Sequence, residues 1–409
     1  MIALCLLLLA APTREELARQ FAPIIYQEAH DPLKDLFAAF DFDGDWSGDD
    51  QAENLACWSD PSKCSSQCTG HRCPLVATVY FTVIETPTHW FIQYMPYHPL
   101  DWKVTNGHEN DTESMLLVVS KAGPAVQALE TRFHLSWYQY SADPLVQNGA
   151  DDVDGPVHFE SDRPAVYSQM VGHGLCGGFS PPNFSFPDLS LTCNHGEVPH
   201  LERDGVRYSP LLPAAMPVVG AGVVQAGYRL AELRDAIWPH IHEIGPGKAF
   251  QSAIDFAGER CAQFACPRQF GGAWEGDEGD SPGEPWAQEG GKGVTAVGDQ
   301  FFDPAYTMSK RLTFPQPYSL EYCFNPYLGI ADTCSPAAPD AGALDAGPDA
   351  GSDAGSLLPP DSGMPPDAGS HVPILDASGC ASAPGALWGL LALLAALCSR
   401  RRTAAHIGD

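Results

Sequence analysis

The residues best suited to chemistry lie in one polar stretch, Gly-His-Glu-Asn-Asp-Thr-Glu at residues 107–113, between two runs of strand-forming residues. His108, Asp111 and Glu113 offer one imidazole and two carboxylates, and Asp101 precedes them. If the stretch enters a strand, Asp111 and Glu113 share one face because the side-chain period is two. Such a donor set suits Mg²⁺, Ca²⁺ or Mn²⁺ better than structural zinc. The stretch predicts a divalent-cation or acid/base cluster; a polar turn that leads into a core strand is the structural alternative.

A second acidic stretch, residues 40–50, has aspartates at the alternating positions Asp41, Asp43 and Asp45. This spacing resembles the start of a calcium loop, because hard cations take several carboxylate oxygens from a tight turn. Trp46 stands where an EF-hand loop requires glycine, so an EF-hand is not predicted. A different oxygen-ligand site and an acidic, solvated turn both remain open.

His173 lies in Gly-His-Gly-Leu-Cys-Gly at residues 172–177, which formally matches the glycine pattern of dinucleotide-binding loops. Pro181 and Pro182 follow, so no helix can open where that motif needs one, and no nucleotide cofactor is predicted. His173 is instead a candidate accessory residue of the cation site, with a simple turn histidine as the alternative. The chain has no G-x-S-x-G or H-E-x-x-H motif, so lipase-like and zincin chemistry lack support.

Charge and cysteine content narrow the classes of partner and compartment. The 409 residues carry 22 Lys and Arg against 51 Asp and Glu, a formal net charge of -29. Phosphate binding requires Lys and Arg, so nucleic acid and anionic membrane surfaces are not expected as partners. Without Cys5, Cys380 and Cys398, an even number of cysteines remains, which in an exported chain predicts disulfides. They are Cys57, Cys64, Cys68, Cys73, Cys176, Cys193, Cys261, Cys266, Cys323 and Cys334. The first four could instead hold zinc, although they do not form paired C-x2-C knuckles.

Short apolar or alternating runs, rich in Val, Thr, Tyr, Phe and Trp and separated by Gly and Pro, indicate a mainly β domain. The predicted strands cover residues 23–26, 76–85, 89–97, 114–120, 131–140 and 164–171. The predicted helices are few, at residues 14–21, 124–129 and 230–238. Many short strands favour an antiparallel β-sandwich of jelly-roll type over a parallel α/β sheet.

Both ends of the chain differ in composition from the middle. Residues 1–13 contain an apolar run typical of a signal peptide, and residues 14–335 form the predicted disulfide-bonded β-sandwich domain. Residues 336–379 repeat Asp-Ala-Gly, and this composition cannot bury enough surface to fold, so a disordered linker is predicted. Residues 380–402 combine a cysteine, an apolar run and three arginines, which predicts a membrane segment with its C-terminal end on the cytoplasmic side.

The arrangement of Gly379-Cys380, an apolar run at residues 386–398 and arginines at 400–402 resembles the myxobacterial C-terminal sorting signal. The resemblance implies export, processing near Cys380 and retention at the cell surface or outer membrane. The cell envelope is then the expected partner.

The heptapeptide at residues 107–113 resembles Gly-His-Arg-His-Asp-Trp-Glu of the necrosis-inducing protein family, in which the His, Asp and Glu hold a divalent metal in a β-sandwich. His108, Asp111 and Glu113 match those positions, and Asp101 lies near a further family carboxylate. Glu109, Asn110 and Thr112 depart from the motif, so the resemblance does not extend to toxin activity. A wider resemblance to vacuolar protein sorting-associated relatives rests on residues 21–26, 40–46, 88–91, 163–167 and 172–174.

The leading hypothesis is an exported cell-surface module that contains a divalent cation and binds polar lipid or glycan headgroups. The first alternative is a metal-dependent extracellular hydrolase, in which His108 or a metal-bound water acts as base and Asp111 or Glu113 assists. The second is a structural coat protein stabilised by disulfides and a cation.

Overall fold

The computed structural model describes residues 12–334 except 30, 32–33, 59–75, 103–106, 180–192, 194–195, 203, 219, 265, 267–268, 277–283, 289–290 and 295. These residues belong to one of two compact units of the chain, residues 1–343. Most of the expected signal peptide, the linker at 336–379 and the C-terminal segment at 380–402 lie outside the described residues, so the domain boundaries stay predictions. No helix among the described residues is long and apolar enough to cross a membrane.

The helices of the described residues are short. The α-helices are α1 (Arg14–Phe21), α2 (Gln51–Trp58), α3 (Leu233–Ala236), α4 (Asp299–Phe302) and α5 (Pro304–Arg311). Single 3-10 turns cover Trp238–His240, Pro285–Ala287 and Pro326–Leu328. The predicted helix at residues 14–21 is confirmed as α1. It begins with a capping box, in which the Thr13 hydroxyl accepts from the Glu16 amide and the Glu16 carboxylate accepts from the Thr13 amide.

The strands follow the same order as the predicted apolar runs but extend further. The first nine are β1 (Ile24–Glu28), β2 (Thr78–Glu85), β3 (His89–Asp101), β4 (His108–Thr112), β5 (Met115–Ser120), β6 (Ala125–Phe133), β7 (Ser136–Ser141), β8 (Gln147–Asn148) and β9 (Gly155–Pro156). The others are β10 (Phe159–Glu160), β11 (Arg163–Ser168), β12 (Leu175–Cys176), β13 (Gly205–Tyr208), β14 (Val223–Ala226), β15 (Arg229–Glu232), β16 (Phe250–Ile254), β17 (Phe270–Trp274) and β18 (Leu312–Thr313).

Two large sheets form a sandwich-like, mainly β fold, which confirms the predicted fold class. One sheet has the order β10-β11-β1-β13-β14, with β12 beside β11; the other has the order β15-β2-β3-β5-β6-β7-β9, with β4 beside β3. Most pairs are antiparallel, as expected for hairpin connections. The pairs β1–β11, β13–β14, β15–β2 and β7–β9 are parallel, so both sheets are mixed.

The core lies on both faces of the second sheet, because all residues of β2 and nearly all of β5 are buried. Strands covered on both faces read as continuous apolar runs, which is why these two were recognisable in the sequence. Aromatic side chains fill the space beyond the sheet: Trp274 stacks on Phe250 and Phe40 with ring centroids 4.8 and 4.4 Å apart.

Three predicted elements differ from the structure. Residues 124–129 were expected to be helical but begin β6, because Val126, Ala128 and Leu129 pack into the sheet and this outweighs local helix propensity. The single strand expected at 131–140 is the end of β6 and the start of β7, which meet at a turn where His134 has a φ of 54°. In the third predicted helix, residues 229–232 form β15 and helix begins only at Leu233.

Three disulfides confirm the predicted oxidised state for six of the cysteines. They join Cys176 to Cys193, Cys261 to Cys266 and Cys323 to Cys334. Cys64, Cys68 and Cys73 lie outside the described residues, so the choice between bridges and zinc in that group stays open.

Candidate functional site

The candidate site lies at the C-terminal half of β3, where the strand pairs with β4 instead of with β2 and β5. The first half of β3 pairs with β2 and β5, and its second half, from Tyr97 to Asp101, pairs with β4. This register places Asp101 opposite His108 and His98 opposite Asp111. The predicted residues Asp101 and His108 are therefore cross-strand neighbours, with Oδ2 and Nε2 3.9 Å apart.

Asn110 fixes the position of β4. Its side-chain nitrogen donates to the carbonyls of Gly48 and Glu275 at 2.7 and 2.6 Å, and its side-chain oxygen accepts from the Tyr97 hydroxyl at 2.6 Å. Its φ of 61° lies in the left-handed region, which asparagine tolerates better than most residues. These contacts fix the residue before Asp111, and the pairing with His98 fixes Asp111 itself.

Asp111 is the centre of a fully buried histidine cluster. Its Oδ2 lies 2.7 Å from Nδ1 of His173, whose Nε2 lies 3.2 Å from Oδ1 of Asp35. All three side chains have no exposed surface. A donor atom from each of His98, Asp111 and His173 lies within 4.8 Å of the other two. The structure thus places the predicted accessory residue His173 in direct contact with the predicted ligand Asp111.

Asp35 orients His173. Its Oδ1 also accepts from the Val171 amide at 2.8 Å and from the Trp102 indole nitrogen at 3.0 Å, so its position is fixed independently of the histidine. His173 itself has a φ of 52°, a conformation that non-glycine residues adopt only when their surroundings compensate. A carboxylate that holds the far nitrogen of a histidine is the usual support behind metal sites.

The hydrogen bonds of Gln27 determine the tautomer of His98. The Gln27 amide nitrogen donates to the carbonyls of Glu28 and Gln169, at 2.8 and 3.1 Å. Its oxygen must then accept from Nε2 of His98, at 3.1 Å. The Nδ1 atom of His98 therefore carries a lone pair, and it has no hydrogen-bond partner among the described residues.

The charges of the cluster are unequal. Burial acts to raise the pKa of Asp111, but its hydrogen bond with His173 and the charges of His173, His108 and His98 hold that pKa well below its ordinary range. Burial acts to lower the pKa of His173, but hydrogen bonds to Asp111 and Asp35 outweigh it and raise the pKa to about 9. Burial and the charge of His173 lower the pKa of His98 far below its ordinary value. The site therefore contains an ionised carboxylate and a neutral imidazole.

The imidazole rings limit how an ion can be held. His98 and His173 stack face to face, with centroids 3.7 Å apart and planes 5° apart. Metal ions bind imidazole along the lone pair, in the plane of the ring, and a single ion cannot lie in the planes of two stacked rings. His98 and His173 therefore cannot both bind the same ion directly.

The other predicted ligand, Glu113, lies in the connection between β4 and β5. Its Oε1 accepts from the His134 backbone amide at 2.9 Å, and its side chain is fully buried. His108 is close enough to Asp111 to lower its pKa. Asp101, His108 and Glu113 lie in or directly after the β3–β4 hairpin, but the close group of donors is made of Asp111 with His98 and His173.

The second predicted group of aspartates is brought together only in part. Asp43 and Asp45 each bring an oxygen within 4.8 Å of Asp50, whereas Asp41 is not part of this group. Asn54 donates to Asp43 at 2.9 Å, and the Asp45 amide donates to the same carboxylate at 3.3 Å. Burial raises the pKa of Asp43 to about 6.

Sequence reasoning missed His98 and Asp35. His98 lies in an aromatic strand and gives no motif. Asp35 lies in a loop near Pro32, and nothing local connects it to residue 173. His240, outside the cluster, ends a 3-10 turn, stacks on Trp46 and contacts Glu243 at 2.8 Å.

No protein-family profile matches the sequence, and no curated protein matches it. Among solved structures the chain is similar to a toxin fold for microbial attack and plant defense, at 20% identity over 40% of this chain and 66% of that one, with a TM-score of 0.26. It is also similar to NLPPya in complex with mannosamine (18% identity, 42% and 69%, TM-score 0.26). A third match is Necrosis and Ethylene inducing Protein 2 from the causal agent of cocoa's Witches Broom disease (16% identity, 46% and 72%, TM-score 0.26). The chain spans about two thirds of the length of the first of these. At such low TM-scores the likeness defines neither site nor ligand, which depend on the contacts above.

Proposed function

We propose that this chain is an exported surface module whose β3–β4 hairpin holds one divalent cation and uses it to bind polar lipid or glycan headgroups. The observation that carries the cation site is the Oδ1 atom of Asp111. It belongs to an ionised, fully buried carboxylate and has no hydrogen-bond partner among the described residues. His173 pairs with Oδ2 of this carboxylate, and a cation at Oδ1 would use the lone pairs that have no partner among the described residues.

Two protein donors support this site. Asp111 offers Oδ1 and His98 offers the Nδ1 lone pair, and both belong to the same cross-strand pair. His173 keeps its contact with the other oxygen of Asp111 and acts as a positioning residue, held in turn by Asp35. Asp101, His108 and Glu113 remain the further ligands proposed from the sequence.

The same donors suit ligand binding. Ca²⁺ and Mg²⁺ take six or more ligands, so Asp111 and one imidazole leave positions for water or for other oxygens. Because Asp111 and His98 are fully buried, a headgroup oxygen can reach such an ion only if β3 and β4 separate locally. Hydroxyl and phosphate oxygens of a glycan or lipid headgroup have the hardness that Mg²⁺, Ca²⁺ and Mn²⁺ prefer. The ligand class follows from this chemistry together with the expected location at the cell envelope.

The test is elemental analysis of the purified full-length chain after dialysis against metal-free buffer. We expect about one Mg²⁺, Ca²⁺ or Mn²⁺ per chain, and much less in Asp111→Asn. The matched control is His240→Gln, which alters a half-buried histidine outside the cluster and should leave the metal content unchanged. Wild-type protein without a stoichiometric ion would refute the cation site.

A separate measurement addresses the ligand. Immobilised glycans and phosphorylated lipid headgroups should retain the wild-type chain, and chelation should release it. If the ion is present but binding is insensitive to the chelator, the cation site stands and the proposed use of the cation is wrong.

A further inference from the structure

One surface segment of the chain differs from the rest in charge. Residues 209–228 contain no Asp, Glu, Lys, Arg or His, in a chain in which 18% of residues are charged. Half of the large hydrophobic side chains exposed among the described residues belong to it: Leu211 (59% exposed), Leu212 (37%), Val218 (87%) and Val223 (49%). Contiguous exposed apolar surface on a folded domain marks an interaction site.

This segment is held in place. The Ala215 amide donates to the Gly227 carbonyl at 3.3 Å, and Ala214 forms an isolated bridge with Gly227. A Cβ atom at Gly227 would lie 2.2 Å from the Leu212 carbonyl oxygen, so the segment packs directly on the glycine backbone. Leu212 and its neighbour Leu211 therefore lie in a stretch that is fixed beside the end of β14, and Val218 follows it in the same uncharged segment.

β14 is an open edge of its sheet. Among the described strands it pairs only with β13, in parallel. The carbonyls of Gly222 and Ala226 accept from the amides of Gly205 and Ser209, on the β13 side. Backbone groups alternate in direction along a strand, so the N–H and C=O of Val223 and Gln225 point to the open side. Such an edge is a template for another strand.

We propose that this surface, which consists of β14 with Leu211, Leu212 and Val218 and is here termed the β14 edge surface, joins two copies of the chain through antiparallel pairing of β14. A two-fold contact presents the same patch on both sides, so it needs only a self-complementary surface. An edge strand satisfies that condition, because the outward groups of Val223 and Gln225 on one copy can pair with those on the other.

Charge also favours a second copy at this place. Two chains that each carry a net charge of -29 repel each other, and they can approach most closely where the surface has no charge. The chain's own Asp-Ala-Gly linker is a poorer occupant, because it would bring repeated carboxylates onto an apolar surface. A lipid bilayer is also a poorer occupant, because the outward backbone groups of β14 would find no hydrogen-bond partner in hydrocarbon.

The experiment measures the mass of the full-length chain in detergent by sedimentation velocity over a range of concentrations. Val223→Lys places a charge on the edge, and Gln225→Pro removes an outward N–H without disturbing the bonds to β13. We expect a wild-type dimer whose dissociation constant rises at least about tenfold in both variants. The control is Leu145→Lys, which places the same charge on an exposed hydrophobic residue outside residues 209–228. Its dissociation constant should match that of the wild type.

All variants keep the same C-terminal tail, so association through the tail contributes equally to each. A difference in dissociation constant between a variant and the wild type therefore reports on the β14 edge surface. A monomeric wild type, or a dimer that neither variant weakens, would overturn the proposal. Phosphatidylcholine vesicles test the lipid alternative: wild-type binding that Val223→Lys abolishes, without any dimer in solution, would assign the surface to lipid instead. Near-UV circular dichroism confirms that each variant is folded.

Discussion

In the part of the chain that the structure describes, the groups around Asp111 and Asp43 each contain a buried carboxylate, and burial has opposite outcomes for the pKa of the two. Asp111 and Asp43 are both more than nine-tenths buried. The pKa of Asp111 is held far below its ordinary range, whereas that of Asp43 is raised to about 6. Burial pushes both pKa values upward, so the neighbours decide the outcome. Asp111 has imidazoles around it, and Asp43 has the carboxylates of Asp45 and Asp50.

This difference shows why only one group is proposed as a functional centre. Near neutral pH Asp111 is ionised beside the protonated His173, and its Oδ1 has no hydrogen-bond partner among the described residues. Asp43 instead takes up a proton as the pH falls to about 6, which reduces the charge of its group. A row of aspartates in the sequence is therefore a weaker indication of a site than one carboxylate among histidines.

The largest expected effect is that of Asp111→Asn. Removal of the carboxylate leaves the protonated His173 buried with one partner fewer, and loss of one member of a buried ion pair typically costs about 3–5 kcal/mol. Urea unfolding should show this loss in the free energy of unfolding. A loss below about 1 kcal/mol would mean that the cluster holds no buried charge.

Asp35→Asn should have the next largest effect. It weakens the hydrogen bond to Nε2 of His173, and hydrogen bonds to charged groups contribute about 1.5–3 kcal/mol. The measurement is again urea unfolding, with Asp49→Asn as the control, since Asp49 is exposed. Equal stability of the two variants would contradict the orienting role of Asp35.

Asp43→Asn should change the pH dependence of stability. The folded pKa of about 6 lies above the ordinary value of 3.8, so the native state binds this proton more tightly, and the contribution to stability is lost as pH rises from 3.8 to 6. With a discount for solvent screening, the variant should gain about 1 kcal/mol over wild type above this range and nothing below it. Thermal unfolding across that range, with chelator present, checks the sign.

Asp45→Asn should have the smallest effect. The charge of Asp45 is a secondary cause of the raised pKa of Asp43, and Asp45 is exposed, so the interaction is screened. The stability should change by less than about 0.5 kcal/mol, with a slight shift of the pH transition toward acid. A change as large as that of Asp43→Asn would show that the two groups are more alike than proposed.

Local sequence patterns were enough to propose Asp111 and His173 as residues of the site. Asp111 follows a polar turn and precedes a core strand, and this context marked it before any contact was known. His173 was proposed as an accessory residue, and its contact with Asp35 joins residues that are 138 positions apart. His98 became significant only through the β3–β4 register. Pairings of this kind are non-local, and no short window of sequence specifies them.

The fold shows the same division. The runs that became β2 and β5 were recognised because sheets cover both of their faces, whereas the alanine-containing start of β6 resembled a helix. The parallel pairs, such as β1 with β11, could not be predicted from strand periodicity, which is the same in parallel and antiparallel strands.

The hydrogen bonds of Asn110 bear on the order of events in folding. This residue joins the backbone at Gly48 and Glu275, which are 62 and 165 positions away along the chain. Contacts of such large separation form only after much of the chain has already lost its freedom. We therefore expect the antiparallel pairs of β2, β3, β5 and β6 to form early, and β4 with the surroundings of Asp111 to reach its final position last.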